Sequence, residues 1–144
     1  MRHLFVRGAP LLAAIAVVLS GCSASNEAVA MLAPVTLIDG AGFHGIDTAL
    51  AVPGAEIDPQ WLGKTRNARI AVASTTWPDE LKPQVQAFVD AAAQLQAALE
   101  SDDAAAAAAA AHETHEAQHD LSVDAYNYLA GKAGIAVPKA EAGH

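Results

Sequence analysis

The stretch LKPQVQAFVDAAAQLQAALE, residues 81–100, decides the fold of this chain. Its large apolar residues recur at alternating spacings of four and three, which places them on one face of an α-helix. Asp79 and Glu80 fall in the first turn, where the helix dipole favours acidic side chains. We therefore predict a helix from Pro78 to about Glu100 with one buried face. This face consists of Leu81, Val85, Phe88, Ala92, Leu95 and Leu99.

The stretch that follows, DDAAAAAAAAHETHEAQHDLSVDAYNYLAG at residues 102–131, predicts a second long helix. Alanine is the best helix former, and eight alanines in succession favour a helix with a narrow profile. Asp102 or Asp103 can cap its beginning. Gly131 or Gly134 can end it.

Two more helices are predicted before residue 81. One runs from about Pro59 to Ser74, with Asp58 as its N-cap and Pro59 at the first helical position. Its apolar side is expected to consist of Leu62, Ile70 and Ala73.

The first helix of the mature chain is predicted from about Glu27 to Ala51. Pro34 should kink this helix or mark its start, and the Val52-Pro53-Gly54 segment should end it. One face, at spacings of three and four, holds Leu37, Gly40, His44, Asp47 and Ala51.

Four helical segments with short links and no strand pattern predict an all-α fold. The simplest arrangement is an antiparallel, up-down-up-down four-helix bundle over residues 27–131. The alternative is an irregular helical domain in which Pro34 splits the first helix. Residues 132–144, rich in Ala, Gly and Pro, are predicted to be a flexible tail.

The N-terminus has the pattern of a secretory signal peptide. Arg2 and Arg7 precede an apolar run at residues 9–19 that is too short to span a bilayer. The run ends in Leu19-Ser20-Gly21-Cys22, which resembles the bacterial lipobox. The resemblance implies a signal peptide at residues 1–21, lipidation of Cys22 and a tether at residues 22–26. It also implies a cell-envelope protein that is anchored in a membrane and faces the periplasm or the cell exterior.

Charge and cysteine content narrow the possible partners. Cys22 is the only cysteine, so an intramolecular disulfide is excluded. Removal of Arg2 and Arg7 with the signal peptide leaves six basic against sixteen acidic residues, a formal charge of −10. Nucleic acid is therefore excluded as a partner, because its binding requires clustered Lys and Arg.

Histidines and carboxylates form the candidate site. His112, His115 and His119 lie on one predicted face of the last helix, which continues through Ser122, Tyr126 and Leu129. Burial of three unpartnered imidazoles would be costly, and a metal ion would satisfy them. In an antiparallel arrangement His44 lies about 10 Å from the end of its helix, and His112 and His115 lie about 13–18 Å from the start of theirs, so the two sets fall at nearly the same height. We predict a metal site whose ligands are His44 and Asp47 with His115 and His119, and with His112 or Glu116 as additional donors.

The segment Gly42-Phe43-His44-Gly45-Ile46-Asp47 resembles the Gly-x-His-x-x-Glu motif of the imelysin family. That family includes the periplasmic component of a bacterial iron-uptake system. The resemblance implies that His44 and Asp47 bind a metal, usually iron, on a helix of a bundle. The departure is Asp47 in place of Glu, which keeps the carboxylate but shortens it by one methylene.

Three functions are consistent with these patterns. The first is a metal-binding lipoprotein that holds iron, copper or zinc for uptake, delivery or storage, with a metal-transport or envelope protein as its partner. The second is a zinc-dependent metallopeptidase-like enzyme, because His115-Glu116-Ala117-Gln118-His119 has the His-Glu-x-x-His spelling. The third is a cofactor-free, partner-binding lipoprotein in which the histidines form a solvated, charge-alternating face.

Overall fold

A computed structural model describes the backbone of residues 20–135 and the side chains from Ala28 onward. This part of the chain is helical and contains no strand, which confirms the all-α prediction. Residues 1–19 of the predicted signal peptide and residues 136–144 of the predicted tail lie outside it. The elements are α1 (Ser20–Gly40), α2 (Phe43–Leu50), α3 (Pro59–Ser74), a 3-10 turn (Asp79–Leu81), α4 (Lys82–Glu100) and α5 (Ala104–Lys132).

The predicted first helix is two helices in the structure. The break lies at Gly42, whose φ of 79° is in the left-handed region that glycine adopts without strain. Pro34 lies buried inside α1, so the alternative in which it splits the helix is wrong. Helical backbone is already present at Ser20, before the predicted start at about Glu27, and it includes residues 22–26, predicted as a tether.

The helix ends follow the capping residues that the sequence contains. The Asp58 carboxylate accepts a hydrogen bond from the backbone N–H of Gln60 at 2.8 Å. The Asp103 carboxylate does the same for the backbone N–H of Ala106 at 2.9 Å. Beyond the end of α5, Gly134 has a φ of 70°, as expected of the glycine that follows a helix C-terminus.

The core is built around α4, whose predicted apolar face is confirmed. Phe88 is fully buried and meets Phe43 of α2 edge to face, with ring centroids 5.7 Å apart. Val85 is half-buried against this cluster. The other members of the predicted face are buried as well: Leu81, Ala92, Leu95 and Leu99.

The predicted apolar face of α3 is wrong. Ile70 is 52% exposed, and the residues that α3 buries are Thr65, Ala68 and Val72. Leu62 is half-buried and Ala73 is exposed. Small residues therefore face the core here, where they allow close approach of the neighbouring helices.

In α2 and α5 the buried face is rotated by about one residue from the prediction. α2 buries Phe43, Ile46 and Leu50, while His44 is exposed. Burying a Phe and two large aliphatic side chains gains far more than burying a His, an Asp and an Ala, which explains the rotation. α5 likewise buries Thr114 and six other residues on one side: Ala107, Ala110, Ala111, Leu121, Ser122 and Ala125.

The packing of the helices places α5 at the centre. α4 contacts both α3 and α5, α1 contacts α3 and α5, and α2 contacts α5. Because α2 and α1 both lie along α5, polar residues at the edges of these contacts meet at two positions along the axis of α5, one beside α2 and one beside α1. Those residues form the candidate site.

The N-terminal part of this domain is strongly apolar. The stretch Ala28–Leu50 has a mean hydropathy of 1.4 and is long enough to cross a membrane, yet 39% of it is buried inside the protein. Core helices of soluble proteins and signal sequences share these properties. An apolar helix at this end of the described residues is compatible with an envelope location.

Candidate metal centre between α2 and α5

Asp47 joins α2 to α5 through two imidazoles. It follows the buried Ile46, so its side chain emerges at the edge of the α2–α5 contact and is 20% exposed. Its Oδ2 lies 3.1 Å from Nδ1 of His115 and 3.3 Å from Nδ1 of His112. The two histidines are one turn apart on α5, so a single carboxylate oxygen holds both rings.

His44 completes the cluster. It lies one turn before Asp47 on α2, and its ring centroid is 4.9 Å from that of His115, with an interplanar angle of 62°. The structure thus brings four of the six predicted residues together. His115 is the best shielded of the imidazoles on α5, at 21% side-chain exposure against 62% for His112 and 69% for His119.

The other predicted residues lie elsewhere. His119 is 69% exposed, and its Nδ1 is 4.0 Å from Oδ1 of Asp120. It lines a groove beside Gln84 of α4, which is another side of α5. Glu116 is exposed. The side chain of Cys22 lies outside the described residues, so its predicted lipidation stays a prediction.

The contacts of Asp47 define what the imidazoles can do. A neutral imidazole whose Nδ1–H donates to a carboxylate keeps Nε2 as a free lone pair. Metal-binding histidines typically have this arrangement, in which the carboxylate fixes the tautomer and raises the basicity of the ring. Asp47 is therefore better placed to orient His112 and His115 than to bind a metal through the same oxygen.

The donor atoms are not preassembled around one point. Among the described residues, no group of three or more His, Cys, Asp or Glu side chains is arranged to hold a metal ion. His44 and His112 are both exposed, and the ring of His112 is held by its contact with Asp47. The donor set fits a transition metal chemically, and a site at this cluster would require the exposed ring of His44 to turn toward the two rings that Asp47 orients.

The His-Glu-x-x-His spelling does not form one cluster. Its first histidine, His115, contacts Asp47, whereas its second, His119, contacts Asp120. In the metallopeptidases that use this spelling, both histidines bind the same ion. The geometry therefore gives the enzyme hypothesis no support beyond the sequence.

A second carboxylate, Asp39 of α1, was missed by the sequence analysis. Its Oδ1 accepts hydrogen bonds from Oγ of Ser122 at 2.6 Å and from Nε2 of Gln118 at 2.8 Å. Its Oδ2 accepts from the hydroxyl of Tyr126 at 2.9 Å, and this bond raises the pKa of Tyr126. Asp39 therefore fastens α1 to the second half of α5, as Asp47 fastens α2 to the first half.

Comparison of the chain with protein-family models, with curated proteins and with solved structures gave no match. The resemblances to the lipobox and to the imelysin motif therefore rest on the residues that carry them.

Proposed function

We propose that this chain is a membrane-anchored lipoprotein of the cell envelope whose helical domain binds one transition-metal ion between α2 and α5. The ligands in this proposal are the Nε2 atoms of His44, His112 and His115, with Asp47 as the residue that orients the rings. The observation that carries it is the contact of one Asp47 oxygen with two Nδ1 atoms. Binding would serve uptake, delivery or storage, with an envelope or metal-transport protein as the recipient.

A ligand set dominated by imidazoles suits zinc and copper and also accepts iron. The partial burial of Asp47 and His115 supports a defined site, because solvent exposure would leave such a pair weakly ordered. The exposure of His112 leaves one side of the site open to solvent, as delivery of the ion to another protein requires.

The proposed site depends on α5 running antiparallel to α1 and α2. Two sets of contacts support this direction: Asp39 contacts residues 118–126 of α5, whereas Asp47, later in the chain, contacts residues 112–115. An antiparallel arrangement of α3 and α4 is supported by the hydrogen bonds of Arg66 with Glu100 and of Arg69 with Gln96. We infer that the domain is an antiparallel, up-down-up-down bundle with a broken first helix.

A cofactor-free lipoprotein is the second candidate. It is favoured by the Asp39 cluster, where a carboxylate fastens α1 to α5 through hydroxyl and amide groups that are poor metal ligands. In that case the Asp47 cluster would be a second fastening of the same kind, and the histidines would have no further role.

Thermal unfolding with and without metal separates the two candidates. At a free metal concentration of about 100 times Kd, binding to the folded chain adds about 2.7 kcal/mol of stability. We expect zinc, copper or ferrous iron to raise the Tm of the wild type and of His119→Ala, which is the matched control. His115→Ala should abolish the rise. A wild-type Tm that no metal changes would refute metal binding and leave the cofactor-free lipoprotein.

A further inference from the structure

The outer face of α1 is apolar and uncovered in the described structure. Leu32 is 42% exposed and Leu37 41%, and Val29 at 66% extends the same face toward the N-terminus. At about 100° per residue the exposed positions cover roughly 160° of the helix circumference. The exposed Asp39 lies at the edge of this face, and Thr36 is uncharged. Six exposed residues of the face have no polar side chain: Val29, Ala30, Leu32, Ala33, Leu37 and Gly40.

The exposed face of α1 is also poor in charged residues. The sequence has no Asp, Glu, Lys or Arg from Ala28 to Ile38. The acidic residue that follows, Asp39, is held by α5 through three hydrogen bonds. The one charged side chain beside the exposed face of α1, that of Asp39, is therefore turned toward α5, and the rest of the face from Val29 to Leu37 is uncharged.

The position of this face relative to Cys22 decides what covers it. The helical backbone of α1 is continuous from Ser20 to Gly40 and includes Cys22. At 1.5 Å per residue, Val29 lies about 10 Å and Leu37 about 22 Å along the axis from Cys22. A lipid attached to Cys22 would hold the N-terminal end of α1 at the bilayer surface, and a continuous helix has no flexible segment that would carry the apolar face away.

We propose that the outer face of α1 lies in the interface of the membrane that anchors the chain. This inference rests on the proposed lipidation of Cys22 and is independent of metal binding. An apolar helix face buried at the headgroup boundary adds hydrophobic contact to that of the acyl chains. Electrostatic attraction to anionic lipids is excluded as the cause, because the mature chain has a formal charge of −10. Docking would orient the domain with α1 toward the lipid.

Spin labels on the acylated full chain in vesicles of phosphatidylcholine and phosphatidylglycerol test this orientation. Acylation consumes the Cys22 thiol, and the chain has no other cysteine, so Leu32→Cys and Leu37→Cys each provide a single labelling site. Ile70→Cys on α3, at 52% exposure, is the matched control. We expect labels at positions 32 and 37 to collide more with oxygen, which partitions into lipid, than with a water-soluble nickel chelate. The label at position 70 should show the reverse.

The outcomes separate the docking from the anchor. Flotation of the protein with the vesicles, with positions 32 and 37 as accessible to nickel as position 70, would overturn the docking and leave the anchor intact. Labels that are protected from both reagents would mean that protein, either a second copy or a partner, covers the face, and this too would overturn it. A chain processed at Cys22 that does not float would refute the anchor and the docking together.

Discussion

Replacement of Asp39 by alanine is expected to destabilise the domain, although Asp39 is an exposed residue. Its carboxylate accepts three hydrogen bonds from α5, at 2.6, 2.8 and 2.9 Å. Hydrogen bonds to a charged group contribute about 1.5–3 kcal/mol each when both partners are shielded. Three such contributions are an upper limit, because the donors differ in their exposure.

The exposure of the donors sets the expected magnitude. Tyr126 is 44% exposed, and Gln118 is half-buried, so both regain water after the substitution. Ser122 is only 6% exposed and loses its short bond, although Gln118 still donates to its oxygen at 3.2 Å. We expect Asp39→Ala to lower the free energy of unfolding by about 2 kcal/mol, the value of one shielded bond to a carboxylate. For a domain of this size the Tm should fall by about 8 °C.

Urea denaturation of metal-free protein, followed by far-UV circular dichroism, measures this loss. The matched control is Asp90→Ala, because Asp90 accepts a hydrogen bond from Gln86 within α4 and joins no two helices. It should change stability by less than about 0.5 kcal/mol. A double-mutant cycle of Asp39→Ala with Ser122→Ala should give a coupling energy of about 1 kcal/mol. Equal effects of Asp39→Ala and Asp90→Ala, with no coupling to Ser122, would refute the role of Asp39 in fastening α1 to α5.

Three further predictions follow from buried contacts and from the site. Phe88→Ala should lower the free energy of unfolding in urea by about 3–5 kcal/mol, because the ring is fully buried and packs edge to face on Phe43. The hydrogen bond to Asp39 raises the pKa of Tyr126, so it stabilises the fold below the ordinary tyrosine pKa of about 10, and this contribution is lost as the pH rises through the pKa of the folded state. Above about pH 10 the stability of the wild type should therefore fall more steeply with pH than that of Tyr126→Phe. Equal slopes would contradict this role of the bond. Asp47→Asn should weaken metal affinity by about 10–100-fold, because the imidazole rings lose the carboxylate that orients them, while the number of ions bound per chain stays the same. A chelator competition titration measures this affinity, and an unchanged value would rule out the orienting role of Asp47.

The helix content and the caps were predictable because they depend on local sequence. Asp58 and Asp103 lie at the positions where a side chain reaches the first free N–H groups, and no long-range information is needed to recognise them. The apolar face of α4 was predictable for a related reason, since its large residues repeat without interruption around Phe88.

The orientation of α2, α3 and α5 was not predictable from spacing alone. In α2 the set with His44 and the set with Phe43 both have helical spacing, and only the gain from burying Phe43 against Phe88 selects between them. The residues that α3 and α5 bury are mostly small, so the spacing of large apolar residues does not identify their buried faces. The break at Gly42 depends on a left-handed backbone that Pro34, the more conspicuous residue, did not indicate.

The juxtaposition of His44 and Asp47 with His112 and His115 followed from helix length and direction, and the structure brings these residues together. His119 was included in the predicted metal site because its spacing from His115 places both residues on one face of a helix. His119 lies four residues after His115, about 6 Å further along the axis of α5, where it lines a groove beside Gln84 of α4. Asp39 was overlooked because its partners Gln118, Ser122 and Tyr126 are ordinary hydrogen-bonding residues that form no metal-binding or catalytic motif in the sequence.

Metal content of the chain tests the central proposal most directly. The soluble chain from residue 23 onward, purified without a histidine tag, would be dialysed against zinc, copper or ferrous iron and analysed for bound metal. The account predicts about one ion per chain in the wild type and in His119→Ala, and none in the His44→Ala/His115→Ala double variant. An absence of metal in the wild type, or equal metal in the double variant, would contradict a site between α2 and α5.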